Sequence, residues 1–389
     1  MTAPATYDVA IIGAGLAGLS LAARLAEPPF TALRVLILEP RTHYRRDRTW
    51  SYWSVQAHPF QAAVASSWDR WSIVLPDRTV TRGTPSLRYE SIPADRLYHV
   101  AIDRIHAAPH ITLRQGVTAY AEEDDGGVQL RFAGETARAR FAFDTRPPPS
   151  LGSHGLTQIF AGWEIETRDA VFDPSTVTLM DFRCAQAGAA HFTYVLPYTT
   201  RRALVEDTWF LPCCLPAPDH QTAIRDYMRD RYGVTAFDIV FKERGALPMD
   251  PVFRPTSGRW LLPIGTAGGG TRPSTGYAFN AIQAQCDVIA ADLMAGRAPR
   301  PVRKRPGIVQ LMDRVLLDML DRHPELAASL FASLFERCDA RTLVRFLNDR
   351  AGLADLLAVG LAMPLLPTTL ATVQMLFRRN EWPQTAIAG

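Results

Sequence analysis

Apolar residues come first in a short β-branched run, Val9 to Ile12. They continue in a helix-like stretch, Leu19 to Leu25, and in a second run, Val35 to Leu38. Strand, helix, strand in that order predicts a βαβ unit. From Trp68 to Glu90 the pattern alternates in short β-like runs with Pro and Gly between them, and Asp95 to Ala107 then reads as a helix. Ile111 to Leu113, Val117 to Tyr120, Val128 to Leu130 and Phe141 to Phe143 predict a β meander punctuated by Asp125-Gly126-Gly127 and Gly134. Strand signals dominate again from Ile159 to Leu211, which predicts a separate antiparallel sheet. An amphipathic helix is expected over Ala223 to Tyr232, a short apolar strand over Trp260 to Gly265 and a helix over Ala278 to Ala295. Beyond a basic, proline-containing linker at Arg297 to Arg305, Ile308, Leu311, Met312, Val315, Leu316 and Met319 recur with helical spacing.

The first apolar run meets Gly13-x-Gly15-x-x-Gly18 directly, and the second ends on Glu39. That acid stands about 20 residues beyond the last glycine, where dinucleotide folds place a carboxylate for the ribose hydroxyls. Gly13 permits the tight turn, Gly15 lets backbone approach a pyrophosphate, and Gly18 lets the helix pack on the sheet. The phosphates then face unpaired N–H groups at the positive end of a helix. A glutamate does not readily face a 2′-phosphate, so FAD or NAD fits here better than NADP. The bland alternative is a glycine-rich helix cap. Strand, glycine loop and helix recur at Trp260 to Ala295, where Ala267 to Tyr277 brings backbone close to a flat ligand and the following helix aims its positive end at a flavin edge. Gly265 is followed by Thr266, whereas flavin hydroxylases carry Gly-Asp in this loop.

Composition adds mainly exclusions. In 389 residues, 47% are hydrophobic and 21% charged, as in an ordinary globular protein, and a net charge of +3 is too small to call for nucleic acid. Five cysteines with no C-x-x-C spacing and no histidine cluster argue against a disulfide framework and against a metal site. The first strand begins close to Met1 with no signal-peptide pattern, and the expected location is cytoplasmic. Gly352 to Phe377 carries a single charge, Asp355, and Pro364 and Pro367 divide it into halves too short to span a bilayer. It reads as a helical hairpin, either buried or interfacial.

Three stretches carry candidate chemistry. Arg41 to Arg48 holds four arginines, which read first as a solvated loop and alternatively as a face for flavin phosphates. Trp50, Tyr52 and Trp53 suit a core or the wall of an apolar, electron-rich pocket. Glu206 and Asp207 are adjacent in an apolar strand and so must point to opposite faces, one of them inward. A buried carboxylate is costly unless protonated or paired, and that cost often marks a working acid. An exposed pair on an edge strand is the bland reading.

Taken in order, Gly13-Ala14-Gly15-Leu16-Ala17-Gly18, Arg48-Thr49-Trp50-Ser51-Tyr52-Trp53, Asp144-x-Arg146, Phe160-x-Gly162-x-Glu164, Leu204-Val205-Glu206-Asp207-Thr208 and Arg272-Pro273-Ser274-Thr275-Gly276-Tyr277 resemble the bacterial flavin-dependent lycopene β-cyclases. Agreement extends over most of residues 7 to 300, although Pro147 stands where the family usually has glycine. The resemblance implies FAD reduced by NADPH and used without net redox, in a ring closure that leaves the formula of a linear C40 polyene unchanged. It implies Glu206 as first choice for the proton donor, within the acidic motif that includes Asp207, and Glu164 as second. The cofactor set it implies is Gly13, Gly15, Gly18, Glu39, Arg48, Asp144 and Gly276, with Trp50, Tyr52, Trp53 and Tyr277 lining the substrate. A membrane-borne substrate implies peripheral attachment to the cytoplasmic membrane. A flavin monooxygenase or reductase acting on a large apolar substrate is the rival.

The expected fold is therefore α/β with added antiparallel β. A Rossmann-type FAD domain over residues 1–150 carries some insertions from a substrate domain. The substrate sheet spans 151–255, the chain returns to the FAD domain over 256–300, and a helical region fills 301–389.

Overall fold

The computed structural model describes residues 4–147, 155–212, 215–249, 258–300 and 305–363. The chain opens with β1 (Ala5–Ile12), α1 (Leu16–Leu25), β2 (Val35–Glu39), β3 (Thr49–Trp53), β4 (Ser66–Trp68), β5 (Arg70–Val74), β6 (Thr79–Gly83) and β7 (Tyr89–Pro93). It continues through α2 (Ala94–His106), β8 (Ile111–Gln115), β9 (Ala119–Asp124), β10 (Gly127–Phe132), β11 (Glu135–Asp144), β12 (Leu156–Glu166), β13 (Thr176–Asp181), β14 (Ala190–Pro197) and β15 (Arg202–Pro212). Then come α3 (His220–Tyr232), β16 (Asp238–Pro248), β17 (Leu261–Pro263), α4 (Phe279–Met294), α5 (Gly307–Arg322), α6 (Ala327–Arg337), α7 (Ala340–Leu347) and α8 (Leu353–Ala362).

The first sheet has the order β8-β2-β1-β11-β10-β9, with β17 also on β11. Its β8, β2, β1, β11 and β17 are parallel. Both faces are covered, which is why Val9 to Ile12 and Val35 to Leu38 are continuous apolar runs. Val9 and Ile11 pack with the helices, while Ala10 and Ile12 pack with Val128, Leu130 and Phe132. The meander expected from the pattern ends differently: β11 pairs antiparallel with β10 and parallel with β1. Ten residues long and apolar at its C-terminal end, it serves as ladder to both neighbours and brings Asp144 beside Ile12.

The second sheet has the order β16-β12-β15-β14-β13-β5-β6. Residues 70–83 therefore join it from within the first stretch of chain, with β5 parallel to β13. One face carries Trp163, Ile165, Val195, Ala203 and Val205 against Ile224, Tyr227 and Met228 of α3. The other carries Phe192, Leu196, Leu204 and Phe210, covered by Phe331, Leu334, Phe335, Leu343 and Val344 of the C-terminal helices and by Trp53 and Tyr89. Those two aromatics belong to a small third sheet, β3-β7-β4.

Three of the linker arginines are tied down. Arg297 and Arg300 pair with Asp292, and Arg305 with Asp349. Of the apolar segment that begins at Gly352, only the part through Met363 lies within the described residues; Pro364 and Pro367 lie outside them. In that part Leu353, Leu357 and Leu361 are exposed, four residues apart on one side of α8. No helix among the described residues is long and apolar enough to cross a membrane.

Candidate functional site

The glycine turn lies at the C-terminal edge of the parallel strands. Gly13 has φ +92°, in the left-handed region, and Gly18 meets it so closely that a Cβ there would stand 2.0 Å from the Gly13 carbonyl oxygen. Gly15 is different. A Cβ there meets nothing nearer than Arg41 Nη2 at 4.0 Å, and α1 begins at Gly15 with no side chain capping its free N–H groups. Open space in front of an uncapped helix N-terminus is what a pyrophosphate requires. The buried Glu39 carboxylate reaches the same turn, accepting from Ala14 N at 2.5 Å and from Arg41 N and Nε. Thr145 and Asp144 close the far side, with Asp144 held by Arg146 at 2.8 Å. The second glycine loop packs back on this turn, since a Cβ on Gly265 would meet Ala17 at 2.8 Å. These residues fit a dinucleotide. Arg48 is exposed and paired with Asp47 at 3.2 Å.

Arg272 of the second loop does not face a ligand. It is buried against Asp313 of α5 at 2.8 Å, with Ser274 on the same carboxylate, and donates to the Phe346 carbonyl of α7. Gly276, with φ +69°, lets the loop pass Gln158 of β12, whose Oε1 would stand 2.7 Å from an added Cβ. Tyr277 thereby comes to lie edge-on to Trp53 at 5.4 Å.

The aromatic run divides by strand alternation. Trp50 and Tyr52 pack toward the first sheet's helices: Trp50 on Tyr98, and Tyr52 stacked on Phe279 at 3.9 Å with its hydroxyl on Glu90. Ser51 and Trp53 face the second sheet. Trp53 meets Tyr89 and Tyr277 there, and the Tyr89 hydroxyl lies 3.0 Å from that of Tyr194. A small cleft lies beside them, lined by Ser51, Trp53, Arg272, Tyr277 and Asn280.

Tyr194 of β14 is opposite Glu206 of β15, Glu206 is opposite Gly162 of β12, and Gly162 is opposite Glu243 of β16. One row across four strands thus brings two carboxyls to the same face, with a glycine between them. Burial, and then the nearby Glu243 charge, push the Glu206 carboxyl well above the usual carboxylate range, against the pull of the Thr208 hydroxyl. Burial likewise pushes Glu243 up, against the Thr49 hydroxyl and the Arg46 and Arg48 guanidiniums. Glu164, two residues from Gly162 on this face, is buried between Arg46, at 2.5 Å, and Arg202. It is thus doubly ion-paired.

Asp207 faces the other way. It accepts from His191 Nε2 at 2.5 Å, Trp209 Nε1 at 2.9 Å and His220 Nδ1 at 2.7 Å. Burial alone would raise its carboxyl, but the hydrogen bonds from His191 and His220 outweigh burial and hold it below the usual range. Glu243 is the residue that sequence reasoning missed. It sits between Lys242 and Arg244, which give the strand a solvated look, but Phe241, Glu243 and Gly245 alternate onto one face.

This architecture, a Rossmann-type domain joined to a second, largely antiparallel sheet, is the fold of solved flavoproteins. A flavoprotein/dehydrogenase from Cytophaga hutchinsonii superposes with TM-score 0.62 over 96% of this chain and 99% of that one, at 13% identity. A geranylgeranyl bacteriochlorophyll reductase-like protein from Thermoplasma acidophilum gives 0.61 over 96% and 99%, at 14% identity. Within that class the chain belongs to the lycopene cyclase protein family, whose pattern it matches over residues 8–373. It is 28% identical to a lycopene beta-cyclase of Paracoccus sp. (strain N81106 / MBIC 01143), over 73% of each chain. To that of Pantoea ananas it is 26% identical, over 73% of this chain and 74% of the relative.

Proposed function

We propose that this protein closes a ψ end group of lycopene into a β-ionone ring, giving γ-carotene and β-carotene, by a redox-neutral cyclisation with FAD bound at the glycine turn. The observation that carries the proposal is Glu206, a half-buried carboxyl that desolvation and the Glu243 charge push toward its acid form, on the sheet face that meets Trp53, the tyrosines and the C-terminal helices. Family membership supplies the substrate class.

Glu206 gives its proton to C2 of the terminal C1=C2 bond, which leaves a tertiary cation at C1. The C5=C6 electrons then form the C1–C6 bond, and loss of the C6 proton restores a double bond at C5=C6. One proton enters and one leaves, so the formula is unchanged. Trp53 and Tyr277 offer aromatic faces to the cation, and the apolar cover excludes the water that would trap it as an alcohol. Gly13, Gly15, Gly18 and Glu39 would hold FAD, which in its reduced anionic form would supply negative charge to offset a cation. NADPH is the reductant in this reading.

The exposed Leu353, Leu357 and Leu361 support peripheral attachment to the membrane in which the polyene resides. The test is the product formed from lycopene under anaerobic conditions with reduced FAD. Unchanged mass with a shorter-wavelength spectrum is expected, whereas gain of oxygen or hydrogen would identify a monooxygenase or a reductase.

A further inference from the structure

The mechanism above uses one carboxyl, and the fold supplies two. A Cβ built on Gly162 would stand 3.4 Å from Glu206 Cβ, 3.2 Å from Glu243 Cγ and 3.1 Å from Leu204 Cδ1, so the two glutamates flank Gly162 on one face, with the end of Leu204 beside them. Glu243 is buried, and among the described residues its Oε2 has no hydrogen-bond partner. A buried carboxylate oxygen without a donor is costly, and a shared proton removes that cost. We propose that Glu206 and Glu243 form one proton-holding pair across Gly162, in which one carboxyl keeps a proton while the other carries the charge.

The remaining groups around the pair bias it without replacing either member. Arg46 and Arg48, before β3, draw Glu243 toward its charged form, as does Thr49. Thr208 does the same to Glu206, whereas Glu164 and, from the opposite face, Asp207 act the other way. Tyr194 and Tyr198 also face the two carboxyls. Cations therefore gather at the Glu243 end of the row. The charge rests on Glu243 and the proton on Glu206, where the cyclase reading needs it.

Glu243 acts through Glu206 and is a positioning residue. Its part in catalysis rests on that cyclase reading, while the pairing rests on the row itself. When the proton has gone to C2, the pair carries two adjacent negative charges. It is then a strong base for the proton that C6 sheds, so the pair ends the cycle with the single proton it began with.

The test is an infrared titration of the protonated carboxyl C=O band in the FAD-loaded enzyme. Glu243→Gln is expected to lower the midpoint of the remaining band by about one pH unit or more, and Glu243→Asp to restore it in part. Glu206→Gln gives the reciprocal reading, lowering the midpoint of Glu243. In the anaerobic lycopene assay, the alkaline limb of the pH–rate profile should move down in Glu243→Gln by the same interval. Unmoved midpoints in both glutamine variants overturn the pair, whatever the enzyme turns over. Moved midpoints in a protein that does not cyclise lycopene uphold the pair and overturn the cyclase reading.

Discussion

Glu206 and Asp207 are joined by one peptide bond and occupy opposite chemical worlds. Glu206 shares its face with Gly162 and Glu243 and is driven toward its neutral form, while Asp207 lies on the α3 face and is held toward its anion by His191, Trp209 and His220. Strand alternation alone achieves this separation.

Glu206→Gln should retain FAD and lose ring formation by a factor on the order of 100 or more, the scale of a positioned proton donor. Anaerobic carotenoid analysis beside a flavin spectrum checks this. A rate near wild type would remove Glu206 from the donor role.

The same variant should be the more stable protein at alkaline pH. A carboxyl whose folded pKa is raised supports the fold below its unfolded value, near 4.5, and that support is lost as pH rises through the folded value. Thermal melting of wild type and Glu206→Gln should coincide in acid and separate above neutrality, glutamine being favoured.

Asp207→Asn should behave in the opposite way. A lowered folded pKa contributes stability above the unfolded value, near 3.8, that is lost as pH falls through the folded one. Removal of this buried charge from its donors should cost about 3 kcal/mol at pH 7. Urea unfolding read down the acid range should show the gap to wild type narrowing.

Gly15→Val should fold and bind no flavin. Among the described residues only the end of the Arg41 side chain, at 4.0 Å, comes near a Cβ at Gly15, so the added side chain chiefly meets the pyrophosphate position. Circular dichroism should be unchanged and the purified protein colourless; a normal flavin content would move the cofactor elsewhere.

Replacing Leu353, Leu357 and Leu361 with glutamine should reduce flotation with anionic liposomes and leave the melting temperature nearly unchanged, because all three are exposed. Equal flotation of wild type and variant would exclude α8 as the contact.

The sequence was most legible where chemistry is local. The glycine turn, its flanking strands and Glu39 lie within about 30 residues, the span of one βαβ unit, and each part has its own signal. Alternation put Glu206 and Asp207 on opposite faces. Applied to Thr49 to Trp53, it also separates Trp50 and Tyr52 from Trp53, a division that reading the run as one aromatic cluster conceals. Glu243 stayed hidden because its meaning depends on register: without β12 between β15 and β16, nothing ties it to Glu206. Arg272 was read with its loop as part of a ligand-facing motif, but its partner is Asp313, 41 residues on in α5. No local rule pairs them.

Arg272 bears on how the protein is made. The ribosome delivers the sheet bearing Glu206 well before the helices that cover it, so Phe192 and Phe210 emerge facing water until α6 and α7 arrive. Arg272 meanwhile carries a charge that has no counter-ion until Asp313 has been synthesised. A nascent chain that stops short of α5 is left with an uncovered apolar sheet face and an unmatched guanidinium, so the acid site and its cover are completed together by the last helices.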